Sequence, residues 1–231
     1  VEEYLDKWHD HFYLFDDKYP FFQILKEDIS SDKINKKNPS AISGKTFDRT
    51  LSESDNKVAL FSPKYAAGSN KEILTEDEVA RWLITYQGYT GLADKTKFIT
   101  NEEYERISKG WLFDIGGIHI EGKNLFETLM LNLLLVHPEE KYVENRQKPC
   151  WEYPSEYLIN EYLDNNMPDN LSQLYTNWSR AIYIDPEIDL KKAFSCNVVK
   201  LPGLENRDQF LKIIILQENI DLTNLCGGLL V

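Results

Sequence analysis

The sequence of 231 residues is poor in cysteine and in long apolar runs. Its cysteines, Cys150, Cys196 and Cys226, lie far apart and form no CxxC pair. This pattern argues against a disulfide framework or a cysteine zinc site, and it is typical of reduced thiols in a cytoplasm. The longest apolar run, Leu125 to Val136, is interrupted by polar residues and is shorter than the roughly 18 to 20 residues that span a bilayer. We therefore expect a cytoplasmic protein with no membrane partner.

Motifs of common enzyme sites are also missing. The chain has no GxSxG elbow and no GxxxxGK[ST] phosphate loop. His9 and His11 could supply metal ligands, but positions i and i+2 of a helix point about 200° apart. Carboxylates are plentiful, yet nothing in the sequence sets two of them apart as a catalytic pair. We predict a protein with no catalytic residues, no cofactor and no metal. The alternatives left open are a stand-alone soluble hydrolase that uses scattered carboxylates and histidines, and a protein-interaction module without a nucleic-acid role.

Charge is the first positive signal. With 26 basic and 38 acidic residues the formal net charge is −12, which argues against binding nucleic acid over the whole surface. The stretch from Asn35 to Glu53 departs from this balance, because it has four basic residues against Asp48 and Glu53: Lys36, Lys37, Lys45 and Arg49. A second basic segment, Ala93 to Phe98, contains Lys95 and Lys97. On composition alone, a solvated loop and an anion-binding loop are about equally favoured for each segment.

Periodicity predicts an α+β domain with no regular βαβ alternation, an irregular mixture of several helices with short antiparallel strands. Predicted helices are Val1 to Phe15, Thr75 to Gln87, Leu125 to Val136 and Ser155 to Leu163. Predicted strands are Val58 to Ser62, Ala181 to Ile184 and Ile213 to Leu216, with a hairpin at Gly116-Gly117 and a loop from Asp28 to Thr50.

Three local details sharpen these predictions. Thr75 and Glu78 form a capping box at the start of their helix. The helix from Leu125 is apolar nearly all round, so we expect it to be buried. The aromatic run FYLFDDKYPFFQI is interpreted as core rather than as a base-stacking platform.

Five separated stretches resemble, in this order, stretches of one known family: YLDKWHDHFYLFDDKYPFFQI, ISGKTFDRTL, ARWLITYQGYTGLADKTKF, KGWLFDIGGIHIEGKNLFETLMLNLLL and NLSQLYTNWSRAIYI. The family is CasA, the large subunit of the type I-E CRISPR surveillance complex Cascade. The similarity to its N-terminal domain runs from about Tyr4 to about Leu211. No single motif is diagnostic, but the ordered series is fairly specific.

The resemblance implies a function without catalysis. In this family the guide RNA recognises the target sequence by base pairing, while the large subunit recognises the protospacer-adjacent motif in duplex DNA. That subunit also docks near the 5′ end of the guide and helps to recruit the helicase–nuclease. The implied partners are therefore the other Cascade subunits, the guide RNA, the target double-stranded DNA and the helicase–nuclease.

Two loops are implied as sites. The docking loop of the family corresponds to residues 35–53, with Phe47, Thr50 and Leu51 toward its tip. The RNA and complex docking residues expected there are Lys45, Thr46, Phe47, Arg49, Thr50 and Leu51. The glycine-rich loop that approaches the minor groove aligns with Ala93 to Phe98, and its expected DNA-binding residues are Ala93, Asp94, Lys95, Thr96 and Lys97.

The second loop departs from the family pattern. Asp94-Lys95-Thr96-Lys97 stands where the best-known members have a glycine run. Glycine lets a backbone approach a groove closely, whereas lysine reaches phosphate or a base-edge acceptor. Because the minor groove offers only a degenerate code, we expect a relaxed or different motif preference.

The ends depart as well. We expect residues 1–211 to form a CasA-like N-terminal domain that is incomplete at its start, and residues 212–231 to be an atypical tail without the C-terminal helical bundle of the family. Codons for Asn224 to Val231 can, in a shifted frame, encode a Trp-Arg segment that resembles one found downstream in relatives. Our hypothesis is a frameshifted or fragmentary gene product.

Overall fold

The computed structural model describes residues 1–48, 72–90, 95–104, 107–110, 112–113, 119–133, 146–166 and 168–203. Within these ranges the chain forms six α-helices and three β-strands. The helices are α1 (Glu2–Trp8), α2 (Gly44–Phe47), α3 (Glu76–Tyr89), α4 (Leu125–Leu131), α5 (Ser155–Leu163) and α6 (Leu171–Tyr175). The strands are β1 (Ser40–Ser43), β2 (Arg180–Tyr183) and β3 (Ser195–Lys200). This mixture confirms the predicted α+β class with short strands.

The three strands form one antiparallel sheet with β3 in the centre, in the order β1-β3-β2. Asn197 of β3 lies opposite Ala41 on one side and Tyr183 on the other, which fixes the register. The strand predicted at Ala181 to Ile184 is thus confirmed to within one residue. The prediction of a loop from Asp28 to Thr50 is wrong, because β1 and α2 lie within it and a 3₁₀ turn at Lys26–Ile29 overlaps its start. The sequence SAIS has a single large apolar side chain, so its strand depends on pairing with the distant β3.

Two helices show how local signals set helix ends. The backbone N–H of Thr75 donates to Glu78 Oε2 at 2.9 Å, which confirms the capping box at α3. Helix α5 occupies the predicted residues. It ends where Asn165 adopts a φ of 58°. The N–H groups of Asn165 and Asn166 donate back to the carbonyls of Tyr162 and Glu161, which is a Schellman motif.

The N-terminal aromatic run is part of the core. Helix α1 ends at Trp8 and a 3₁₀ turn follows at His9–His11, so the helix is shorter than the predicted Val1 to Phe15. Phe22 and Ile24 are buried, and the N–H of Ile24 donates to the carbonyl of Ile182 in β2 at 2.9 Å. The run therefore supplies packing to the sheet, as predicted.

Burial of the sheet differs between its two ends. Val198 and Ile182 are fully buried on one face, and Val199 and Ala181 are fully buried on the other. Farther along that second face, Asn197 and Tyr183 are only partly buried, and Ala41 is exposed. One end of the sheet is thus covered on both faces, and the other end is open on one face.

Helix α4 is not buried, which corrects the prediction made from its apolar sequence. Its large side chains are mostly exposed, for example Phe126 at 69% and Leu125 at 73%. The expected N-cap is present, since the N–H of Glu127 donates to Asn124 Oδ1 at 3.0 Å. The predicted strands at Val58 to Ser62 and Ile213 to Leu216, the hairpin at Gly116-Gly117 and the tail 212–231 lie outside the described residues.

Candidate nucleic-acid interface

The two basic segments lie side by side in the structure. Asn35 and Lys97 are joined twice, because the N–H of Asn35 donates to the carbonyl of Lys97 and the N–H of Lys97 donates to Asn35 Oδ1, both at 2.9 Å. Ile34 and Phe98 form the adjacent antiparallel bridge, and both side chains are buried. Segments that are separated by about sixty positions in the sequence therefore share one anchored base.

Ser40 at the start of β1 ties the segments together a second time. Its Oγ lies 3.2 Å from the backbone nitrogens of Lys95 and Thr96, which donate to it, and 2.9 Å from Thr96 Oγ1. Thr96 is buried, so its side chain holds the segment in place and is not presented to a ligand. The N–H of Lys200 donates to the carbonyl of Thr96 at 2.8 Å, which attaches the segment to the central strand.

The lysines of the second segment differ in their surroundings. Lys97 Nζ donates to Glu103 Oε1 at 2.9 Å and to the carbonyl of Tyr104 at 3.1 Å. Lys95 is exposed and makes no ion pair with the described residues. Because the charge of Lys97 is already compensated, Lys95 is the cation of this segment that can reach a phosphate.

The first segment contributes two exposed cations close in sequence to the bridge. Lys36 and Lys37 lie between Asn35 and Ser40, and both are exposed without an ion pair to the described part of the chain. Together with Lys95 they concentrate positive charge in a protein whose net charge is −12. We call Lys36, Lys37 and Lys95 the lysine patch. Such a local concentration of lysines favours binding to phosphate despite the overall negative charge.

The expected docking residues after β1 lie in a different environment. Phe47 is fully buried, with its ring centroid 5.3 Å from Tyr86 and 4.9 Å from Phe194. This differs from the expectation that Phe47 lies toward an exposed loop tip. Because the ring is apolar, burying it in the core stabilises the fold more than exposing it at a loop tip would.

Of the other residues expected to dock on RNA or on the complex, some lie in the described ranges and some do not. Lys45 Nζ lies 3.7 Å from Glu72 Oε1 across partly buried surface, and Thr46 Oγ1 lies 3.5 Å from Ser43 Oγ. Arg49, Thr50 and Leu51 lie outside the described residues, as do Ala93 and Asp94 of the other segment.

The histidines do not converge on a ligand position. The ring of His11 stacks on Tyr19 at 4.0 Å, and its Nδ1 lies 2.7 Å from the carbonyl of Trp151. His9 packs edge-on against Tyr13. Among the described residues no group of three or more His, Cys, Asp or Glu side chains is placed to hold a metal ion.

Two cysteines in the described ranges, Cys150 and Cys196, are free and buried. Burial raises the pKa of the Cys150 thiol to about 12, and it also raises the pKa of Cys196. Both thiols therefore stay protonated near neutral pH and are poor nucleophiles there. Cys226 lies outside the described residues.

Sequence reasoning missed Asn35 and Ser40, which organise this interface. Both occur in a polar stretch with no periodicity, and their partners lie 55 to 62 positions away. An Asn or Ser in such a stretch is common in any loop. The only available signal was that the two basic segments are the exceptions in an acidic chain.

Comparison with protein families now adds to this geometry. Residues 1–213 match the family model described as CRISPR-associated protein Cse1. The chain belongs to the Cse1 family. Cse1, also called CasA, is the large, non-catalytic subunit of type I-E Cascade, which confirms the resemblance and makes this chain a Cascade subunit. No curated protein and no solved structure gives a significant match to the chain. Of the helices in the described ranges, none is both long enough and apolar enough to cross a bilayer.

Proposed function

We propose that this Cse1-family chain recognises the protospacer-adjacent motif in duplex DNA through the segment 93–98, with Lys95 as its main phosphate contact. The observation that carries the proposal is the lysine patch. It combines the two segments that family resemblance singles out, on one base fixed by Asn35 and Ser40. We expect the free chain to bind duplex poorly, because its net charge of −12 repels the many phosphates of a long duplex more strongly than the few of a short single strand.

The first segment docks the chain into Cascade near the 5′ end of the guide RNA. Lys36 and Lys37 are exposed there and serve the RNA backbone, while the part of the loop after Phe47 contacts neighbouring subunits. Family membership supports the further role of helping to recruit the helicase–nuclease.

Duplex binding by reconstituted Cascade tests the assignment of Lys95. Lys95→Ala is expected to weaken binding to a target duplex about three- to tenfold at moderate salt and to lower the slope of affinity against salt concentration by about one. Lys191→Ala, which removes another exposed lysine, is the matched control. Unchanged affinity and slope for Lys95→Ala would remove this lysine from the interface.

Lys97→Ala gives a second, different result. Its loss breaks the contacts with Glu103 and the Tyr104 carbonyl, so we expect a lower thermal midpoint of the chain together with weaker duplex binding. Glu103→Gln separates these effects. It removes the negative charge beside Lys97 but keeps a hydrogen-bonding group, so duplex binding should stay equal or become tighter.

Docking is tested by co-purification. Lys36→Ala combined with Lys37→Ala is expected to lower the amount of chain recovered with guide-containing Cascade, and raising the salt concentration should reduce recovery of the parent chain in the same way. Undiminished recovery of this double variant would place docking elsewhere. Recovery of the helicase–nuclease on target-bound Cascade, with and without this chain, tests recruitment.

A further inference from the structure

An open groove of about 570 Å³ lies beside the lysine patch, at the open end of the sheet. Its floor includes Tyr183 and Asn197, which face each other across β2 and β3, and Ile29 of the 3₁₀ turn. Lys37 and Asn38 form part of its wall. A volume of this size falls within the range of small-molecule and cofactor sites.

Three polar side chains of the groove are not used by the described part of the fold. The side chains of Asn38, Tyr183 and Asn197 make no hydrogen bond with the described part of the chain. Burial and the negative charges of Asp185 and Glu27 raise the pKa of Tyr183, so its phenol stays neutral and can both donate and accept. The groove therefore combines an aromatic ring with two amides that are available to a ligand.

The groove carries charges of both signs. Lys26 and Lys37 line it with two ammonium groups against the single carboxylate of Glu27. The carboxylates of Glu27 and Asp185 act on Tyr183, whereas Lys37 lies on the segment between Asn35 and Ser40. An anionic part of a ligand is favoured at Lys37, and a neutral planar part is favoured at Tyr183.

We propose that this groove binds one nucleotide of a single-stranded nucleic acid, with its base against Tyr183 and Asn197 and its phosphate at Lys37. Base stacking on an aromatic ring, amide contacts to the base edge and an ammonium group at the phosphate are the elements of single-strand recognition. Continuity with the lysine patch through Lys37 gives the strand a path to the groove. The inference rests on the proposed function for the source of the strand, which is either guide RNA or a DNA strand displaced from the opened duplex.

Fluorescence anisotropy of the full 231-residue chain with labelled tetranucleotides tests the proposal. The probes are rU4, rA4, dT4, dA4 and an abasic tetramer, measured at low and at high salt. We expect the base-containing tetramers to bind and the abasic tetramer to bind about tenfold more weakly. Preference for the ribose probes identifies guide RNA as the source, and preference for the deoxyribose probes identifies a displaced DNA strand.

Variants of the groove locate the binding. Tyr183→Leu is expected to weaken binding about tenfold, while Tyr183→Trp preserves it because it keeps the stacking surface. Lys37→Ala is expected to weaken binding about threefold at low salt and less at high salt. Tyr13→Leu and Lys7→Ala, which change an exposed tyrosine and an exposed lysine outside the groove, should bind like the parent chain.

Other results would overturn the inference. If Tyr183→Leu and the parent bind equally, or if the abasic tetramer binds as tightly as rU4, no base is held in the groove. If Tyr183→Leu binds the tetramers normally but co-purifies poorly with the other subunits, the groove is a protein contact. Failure of the proposed function is separate, because it appears as unchanged duplex binding by Cascade with Lys95→Ala, whatever the tetramers show.

Discussion

Helices α3 and α4 begin in the same way and end in opposite environments. Each has a polar side chain at the N-cap and a Glu three residues later, and each has a sequence rich in large apolar residues. Yet Val79 and Leu83 of α3 are fully buried, whereas Leu129 of α4 is 57% exposed. Local sequence thus determines where these helices start, and tertiary contacts decide which of them contributes to the core.

The difference in apolar burial between α3 and α4 gives the largest expected effect on stability. Leu83→Ala should lower the free energy of unfolding by about 2–5 kcal/mol, because it leaves a cavity in a fully buried position. Leu129→Ala should change it by less than about 0.5 kcal/mol. Urea unfolding of the two variants, followed by circular dichroism, measures both values. Equal losses would mean that α4 is packed as tightly as α3.

A second difference concerns two amide side chains, each of which forms hydrogen bonds between separate segments. Gln87 of α3 is buried, accepts from the N–H groups of Ser179 and Arg180, and donates to the carbonyl of Arg180. Gln87→Leu should cost about 1–3 kcal/mol, because these groups are left unsatisfied in the core. Asn132 after α4 makes exposed contacts with Ile120, so Asn132→Ala should cost less than about 1 kcal/mol. The same denaturation experiment ranks the pair, and a larger cost at Asn132 would reverse the comparison.

Removing the N-terminal cap of either helix should cost a similar amount of stability, but the loss should be detected by different measurements. Asn124→Ala removes the oxygen that accepts from Glu127, and Glu78→Ala removes the acceptor for the Thr75 N–H. Each change should cost about 1 kcal/mol of helix stability. In α4 the loss should appear as faster amide exchange within the helix, since little else depends on it. In α3 it should lower global stability. Protection of α4 that does not change in Asn124→Ala would show that its start is held by other contacts.

The smallest effect concerns acid stability of α3. Hydrogen bonding from Thr75, and then the interaction with Arg81, lowers the pKa of Asp77 below its ordinary value. A carboxylate whose pKa is depressed in the folded state stabilises above its unfolded pKa, and that stabilisation is lost as the pH falls through the folded pKa. Asp77→Asn should therefore be slightly less stable than the parent at pH 7, and the difference should shrink as the pH falls through the folded-state pKa of Asp77. Thermal midpoints across this range test the sign.

The sequence allowed prediction of those parts of the fold that short-range signals control. The capping box at Thr75, the bounds of α5 and the position of β2 depend on neighbours within a few residues, and all three were predicted. Strand β1 was missed, because its SAIS sequence has almost no strand signal without β3. The exposure of α4 was missed for the same reason, since an apolar sequence does not specify its packing partner.

The candidate interface, too, could be predicted only in part from the sequence. Its charges were visible in the sequence, because Lys36, Lys37 and Lys95 are exceptions in an acidic chain. The burial of Phe47 and Thr96 was not visible, since it depends on contacts with Phe194 and Ser40. Assigning which lysines can reach a phosphate needed the position of Glu103 beside Lys97.

The hydrogen bonds from Asn35 and Ser40 to the segment around Lys95 also affect the entropy of binding. A nucleic acid that immobilises one of the two basic segments restricts the backbone of the other, because they share these bonds. The second contact then starts from a chain that is already ordered and loses less conformational entropy. If the two segments bind RNA and the duplex motif as proposed, thermodynamic linkage makes the effect mutual, and each ligand should raise the affinity for the other by the same factor. We therefore expect the bonds at Asn35 and Ser40 to make the proposed binding at the two segments cooperative.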